Sequence, residues 1–145
     1  MAREFPETLN FASAFGFALE VERACADMAA AAGVLAPDDA WQAKLEELVC
    51  GHDDRVEKLG GKRLSGPEPA MQIDGRNYLS TLSAEPETAW PEAVEQLALA
   101  EEDAARYHED FARVYGEALG GNAHLFQKAA QQARGAAEAL REMLA

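Results

Sequence analysis

At 145 residues and 48% hydrophobic content, the chain is the size of one domain, 1–145, able to bury a core without disulfides or a structural metal. A net charge of −13 argues against nucleic acid and anionic membranes as partners, because the field of the whole molecule repels phosphates. No stretch approaches the roughly 18 consecutive apolar residues of a membrane span; Arg3, Glu4, Glu7 and Glu20 interrupt the beginning of the chain, so the reducing cytoplasm is the expected compartment.

Alanine is abundant, β-branched residues are few and no alternating apolar run occurs, so the period to look for is the helical one. The first helix is expected from Thr8 or Asn10 to Gly33, with Phe11, Phe15, Ala18, Glu22, Ala26 and Ala29 on one face. The second follows Pro37-Asp38-Asp39, takes an aspartate cap and stops at Gly60-Gly61; Trp41, Leu45, Leu48, Val49, His52, Val56 and Leu59 share its face. The connector between them is a few residues long, which makes the two helices antiparallel neighbours.

Next comes "GGKRLSGPEPAMQIDGRNYLSTLSAEPETAW", whose four glycines and three prolines no long helix tolerates. Ile73, Tyr78, Leu79 and Leu82 are expected to pin this crossover to the outside of the bundle, and Trp41 and Trp90 to cover its end or an interface. The third helix takes Pro91 as a first-turn residue and runs to Gly120-Gly121, aligning Val94, Leu97, Glu101, Ala105, His108, Ala112, Tyr115 and Leu119. The fourth follows Asn122 as cap and aligns Phe126, Ala129, Ala130, Ala133, Ala137, Leu140 and Leu144. The expected fold is all-α, two antiparallel helix hairpins joined by a long crossover into a four-helix bundle.

Glu22 and Glu101 each stand in the middle of an otherwise apolar helix face. A carboxylate buried there costs several kcal/mol unless it is neutralised, hydrogen-bonded or coordinated. With this pair the chain resembles the rubrerythrin-like branch of the ferritin-like superfamily, which places a core glutamate on helices one and three and Glu-x-x-His on helices two and four. In that family the second helix carries an aromatic residue or leucine, then Leu-Ala, then Glu-Glu-x-x-His. Here Leu45 and Leu48-Val49 keep the frame and Gly51-His52-Asp53-Asp54-Arg55 follows, so His52 stands at the ligand glutamate and Arg55 at the ligand histidine. On the fourth helix Phe126 and Ala129-Ala130 keep the frame, but Ala133 and Ala136 fill the ligand positions.

The resemblance implies a di-iron cage of four carboxylates and two histidines, of which Glu22, His52 and Glu101 are the surviving metal-ligand candidates. An arginine beside them repels a divalent ion and neutralises carboxylates well, so these residues and Arg55 are expected to form a polar network in a vacated site. A register shift of one residue in the second helix would bring Asp53 inward in place of His52. His108 is a secondary candidate: it lies two turns from Glu101, roughly 10 Å along the axis, and is expected to hydrogen-bond Tyr115 or a backbone carbonyl.

Cys25 and Cys50 are expected to be unpaired thiols. No phosphate loop, Gly-x-Ser-x-Gly, Cys-x-x-Cys or His-x₃-His occurs, so no catalytic residue is assigned. The expected function is a non-catalytic binding or assembly role, without a cofactor, in a homodimer. The alternative is an active metalloprotein that binds iron or manganese and handles peroxide or dioxygen with Glu22, His52 and Glu101, joined by His108 or Asp53.

Overall fold

The computed structural model describes residues 3–62, 64, 66–69 and 71–145, and among these it is helical with no strand. α1 spans Phe11–Leu35. Asn10 opens it with a reciprocal cap: its side chain accepts from the Ser13 amide at 2.9 Å, and Ser13 Oγ accepts from the Asn10 amide at 3.0 Å. The helix passes the expected stop at Gly33 and ends at Ala36, whose ψ of 133° is extended, because the following Pro37 disfavours helical backbone in the residue before it. α2 spans Asp39–Gly60, and Asp38 caps it by accepting from the Trp41 amide at 2.9 Å.

The crossover contains a short 3₁₀ turn, Gly75–Tyr78, and one helical turn, α3, Leu79–Leu82. Ile73, Tyr78 and Leu82 are buried and Leu79 is half-buried. The segment is tied to the bundle by Thr8 Oγ1, which donates to the Ile73 carbonyl at 2.7 Å, and by Thr81 Oγ1, which donates to Asp103 at 2.7 Å.

α4 spans Glu92–Val114, with Pro91 at the cap position rather than inside the first turn. Its expected continuation to Gly120 is broken at Tyr115; a separate turn, α5, covers Gly116–Leu119, and Gly120 takes φ 53°, a conformation that favours glycine. Gly116 weakens the helix at the point where it breaks. α6 spans Ala123–Leu144. Asn122 precedes it but makes no side-chain cap, since a 3₁₀ turn over Gly120–Asn122 already leads the chain into helical backbone.

Contacts between side chains fix the directions. Leu45 lies beside Gly33 and Leu19 beside Gly60, so α1 and α2 run antiparallel. Arg134 is bidentate on Glu109 at 2.8 Å and Arg141 reaches Glu102, so α4 and α6 run antiparallel too. Phe11 meets Tyr115 and Phe17 stacks on Tyr107 with ring centroids 4.5 Å apart, which sets α1 antiparallel to α4. α2 and α4 therefore point the same way, and the crossover carries the chain back along the bundle between them.

Trp41 and Trp90 meet edge to face at 4.8 Å at the α1–α2 turn end. No helix among the described residues is long and apolar enough to cross a membrane.

The crossover is held by close contact at Gly75, where an added Cβ would stand 2.5 Å from Cε2 of the buried Phe17. Gly75→Ala is expected to cost about 2 kcal/mol of unfolding free energy in urea, the size of a core overpacking. An unchanged midpoint would mean that the crossover lifts off without loss.

Candidate functional site

Among the described residues, four polar or charged side chains are buried in the core, and they come from three helices: Glu22 on α1, His52 on α2, and Glu101 and His108 on α4. Each of them points inward because it sits in the apolar stripe of its helix, and Asp53, one residue from His52, is exposed. The observed register of α2 is thus the one with His52 inside.

His52 spans the two carboxylates. Its Nδ1 lies 2.5 Å from Glu22 Oε2 and its Nε2 lies 2.5 Å from Glu101 Oε1. Facing a carboxylate at each nitrogen, the ring satisfies both as an imidazolium, with Nδ1–H and Nε2–H donating. Burial by itself would lower the His52 pKa; the charge of Glu101 and the hydrogen bond to it, reinforced by Glu22, push it up to about 9. Burial by itself would raise the Glu22 pKa; hydrogen bonds from His108 and His52, and their charge, hold it well below the usual carboxylate range.

Arg55, one turn after His52, turns inward beside it. Its Nε donates to Glu22 Oε2 at 3.1 Å, its Nη1 donates to Gln132 Oε1 on α6 at 3.2 Å, and its Nη2 lies 2.9 Å from His52 Nδ1. The imidazolium of His52 and the guanidinium balance the two glutamates, so these four side chains together carry no net charge. A neutral, mutually bonded set is the form in which buried charge is tolerable.

His108 donates from Nε2 to Glu22 Oε1 at 2.9 Å, not to Tyr115 or a backbone carbonyl as the sequence led us to expect. The cause is helix geometry. Side chains lean toward the N-terminus of their own helix, so in antiparallel α1 and α4 the Glu22 and His108 side chains lean toward each other while Glu101 leans away. The spacing from Glu101 along α4 does not decide the matter, since His108 meets Glu22 instead. Among the described residues, Glu101 Oε2, His108 Nδ1 and Tyr115 Oη are buried without a hydrogen-bond partner.

Cys25 is fully buried and Cys50 is exposed; both are free thiols. Burial, followed by the charges of Glu101 and Glu22, pushes the Cys25 thiol well above its ordinary range. One donor atom each from Cys25, His52 and Glu101 lie within 4.8 Å of one another.

The donor set does not fit a pair of divalent ions. Among the described residues only two carboxylates, Glu22 and Glu101, are buried at the centre, one of them already bonded by a guanidinium, and Ala133 and Ala136 bring buried methyl groups from α6. What α6 does supply is the amide of Gln132, an exposed residue outside the apolar stripe that no core pattern would single out. The arrangement can hold and redistribute protons among its carboxylates and imidazoles. No protein-family model, curated protein or solved structure matches the chain.

The His52 pKa rises on folding from 6.5 to about 9, so its stabilisation is complete below pH 6.5 and is lost as pH climbs toward 9. Glu22 shifts the other way from 4.5, so its stabilisation is present above pH 4.5 and is lost in acid. Unfolding free energy in urea is expected to fall by about 3 kcal/mol over the alkaline limb. His52→Gln should lower stability and flatten that limb; a limb that survives the replacement assigns the titration to another group.

Thiol titration with an aromatic disulfide reagent gives a second check. Cys50 should react at once in the native protein and Cys25 only after unfolding. Rapid native reaction of both would mean that the core around the network opens.

Proposed function

We propose that the chain is a ferritin-like bundle of the rubrerythrin-like kind in which a hydrogen-bonded polar network stands in place of the di-metal centre. Its role in this reading is binding or assembly rather than metal-based oxidation or reduction. The observation that carries the proposal is the position of Arg55: its Nε is on Glu22 Oε2, while His52 occupies the space between Glu22 and Glu101. A divalent ion entering here would meet two cations and would have to displace both from the carboxylates it needs. Self-assembly into a homodimer is the first form of assembly to test.

A second reading is favoured by the unpartnered Glu101 Oε2 and by the Cys25, His52 and Glu101 donors within 4.8 Å. In it the chain remains a metalloprotein, with iron or manganese held by Glu22, His52 and Glu101. Buried orphan acceptors are the kind of group an ion satisfies.

Elemental analysis of untagged protein purified without chelators separates the two. The first reading expects no stoichiometric metal and, by light scattering, a mass twice that of the chain. Near-stoichiometric iron or manganese that disappears in Glu22→Gln and in Glu101→Gln would overturn it and establish the second.

A further inference from the structure

A cavity of about 340 Å³ opens between α2 and α6 on the outer side of Arg55. Its walls carry Arg55, Lys58, Lys62 and Lys128 around an apolar floor of Leu59 and Leu125. The chain has 26 acidic residues against 13 basic ones, yet four of those basic residues line this one cavity with a single carboxylate, Asp54. Asp54 is bonded to Lys58 at 2.9 Å, whereas Lys62 and Lys128 have no ion-pair partner among the described residues. The local charge is therefore opposite in sign to that of the molecule.

Arg55 adds fixed donors. Of its five N–H groups, Nε is used on Glu22 and one on Nη1 is used on Gln132, while Nη2 stands 2.9 Å from the protonated His52 Nδ1, which accepts nothing. At least one N–H on each terminal nitrogen is left for an acceptor. Gly51 also lines the cavity, and a Cβ there would stand in ordinary van der Waals contact with Nη1, at 3.4 Å.

We propose that this cavity binds a small amphiphilic anion, an oxyanion head on a short apolar tail, through Arg55, Lys62 and Lys128 with the tail on Leu59 and Leu125. The volume lies in the range of small-molecule sites, and planar donors combined with point charges are the chemistry that recognises carboxylate and phosphate oxygens. The proposal stands apart from the reading of the buried network, because it needs neither the presence nor the absence of a metal.

Calorimetric titration of the full chain with octanoate, octyl phosphate, octylammonium and inorganic phosphate tests it. Octanoate or octyl phosphate should bind once per chain, and the tighter of the two identifies the head group; octylammonium should bind at least about tenfold more weakly, against the preference that the net charge dictates. Replacing the two exposed lysines in Lys62→Gln/Lys128→Gln should weaken the anion by about tenfold, the sum of two modest surface interactions. Circular dichroism and the urea midpoint establish that the double variant is folded. Binding of octylammonium as tight as that of the anions, inorganic phosphate as tight as octyl phosphate, unchanged affinity in the double variant, or no anion binding at millimolar concentration each overturns the proposal.

Discussion

The bundle depends on one imidazole ring. His52 holds a glutamate from α1 on one nitrogen and a glutamate from α4 on the other, each at 2.5 Å, and thereby joins three helices. α2 is the helix that most needs this. Its fully inward residues are Trp41, Leu45, Leu48, His52 and Leu59, a thin stripe beside the twelve buried positions of α1 or of α4. Apolar burial seats α2 loosely in register, while the ion network admits one register only, because a slip of one residue would put Asp53 against two carboxylates.

The surroundings keep the network dry. On one side lies an aromatic layer in which Phe11, Phe111, Tyr115 and Phe126 pack ring against ring, with Phe111 and Phe126 4.8 Å apart. His108 borders this layer, its ring 6.1 Å from that of Phe126. On the other side the alanines of α6 let that helix close on α4, with surface pairs such as Arg134–Glu109 along the seam. Low local polarity strengthens each bond in the network and raises the cost of any member left alone. The free oxygen of Glu101 is the place where this cost is not yet offset.

The sequence disclosed the parts of this that helical periodicity controls. Glu22 and Glu101 are anomalous because they break an apolar stripe, and His52 and Arg55 follow from the three-residue spacing on the same helix. The helical layout and the inward faces are legible for the same reason: every aligned position from Val94 to Ala112 on α4 is buried, and so are Tyr115 and Leu119 beyond its end. Periodicity places a residue around a helix, however, and not at a height relative to another helix. Spacing along the chain relates His108 to Glu101 on its own helix, whereas its partner is Glu22 across the interface. Gln132 escaped for a related reason, since it reaches Arg55 from an exposed position that no stripe includes. The break at Tyr115 was also hidden, because the apolar pattern continues through α5 although the helix does not.

Two cations on α2, set three residues apart, supply the same charge as one divalent ion. In the proposed reading this substitution explains how the glutamates can persist: the carboxylates need a positive counterpart to be buried at all, and a covalently attached one makes folding independent of metal supply. It also removes what a metal would contribute, since an imidazolium and a guanidinium have no open coordination position and no second oxidation state. Arg55 further differs from any ligand histidine in length. Its guanidinium is bonded to Glu22 inside and still faces the basic cavity outside, so the group that neutralises the core is also the group an anion would meet at the surface. An anion drawn to that face competes for the charge Glu22 relies on, and the linkage is reciprocal: whatever tightens Arg55 on Glu22 weakens its hold on the anion.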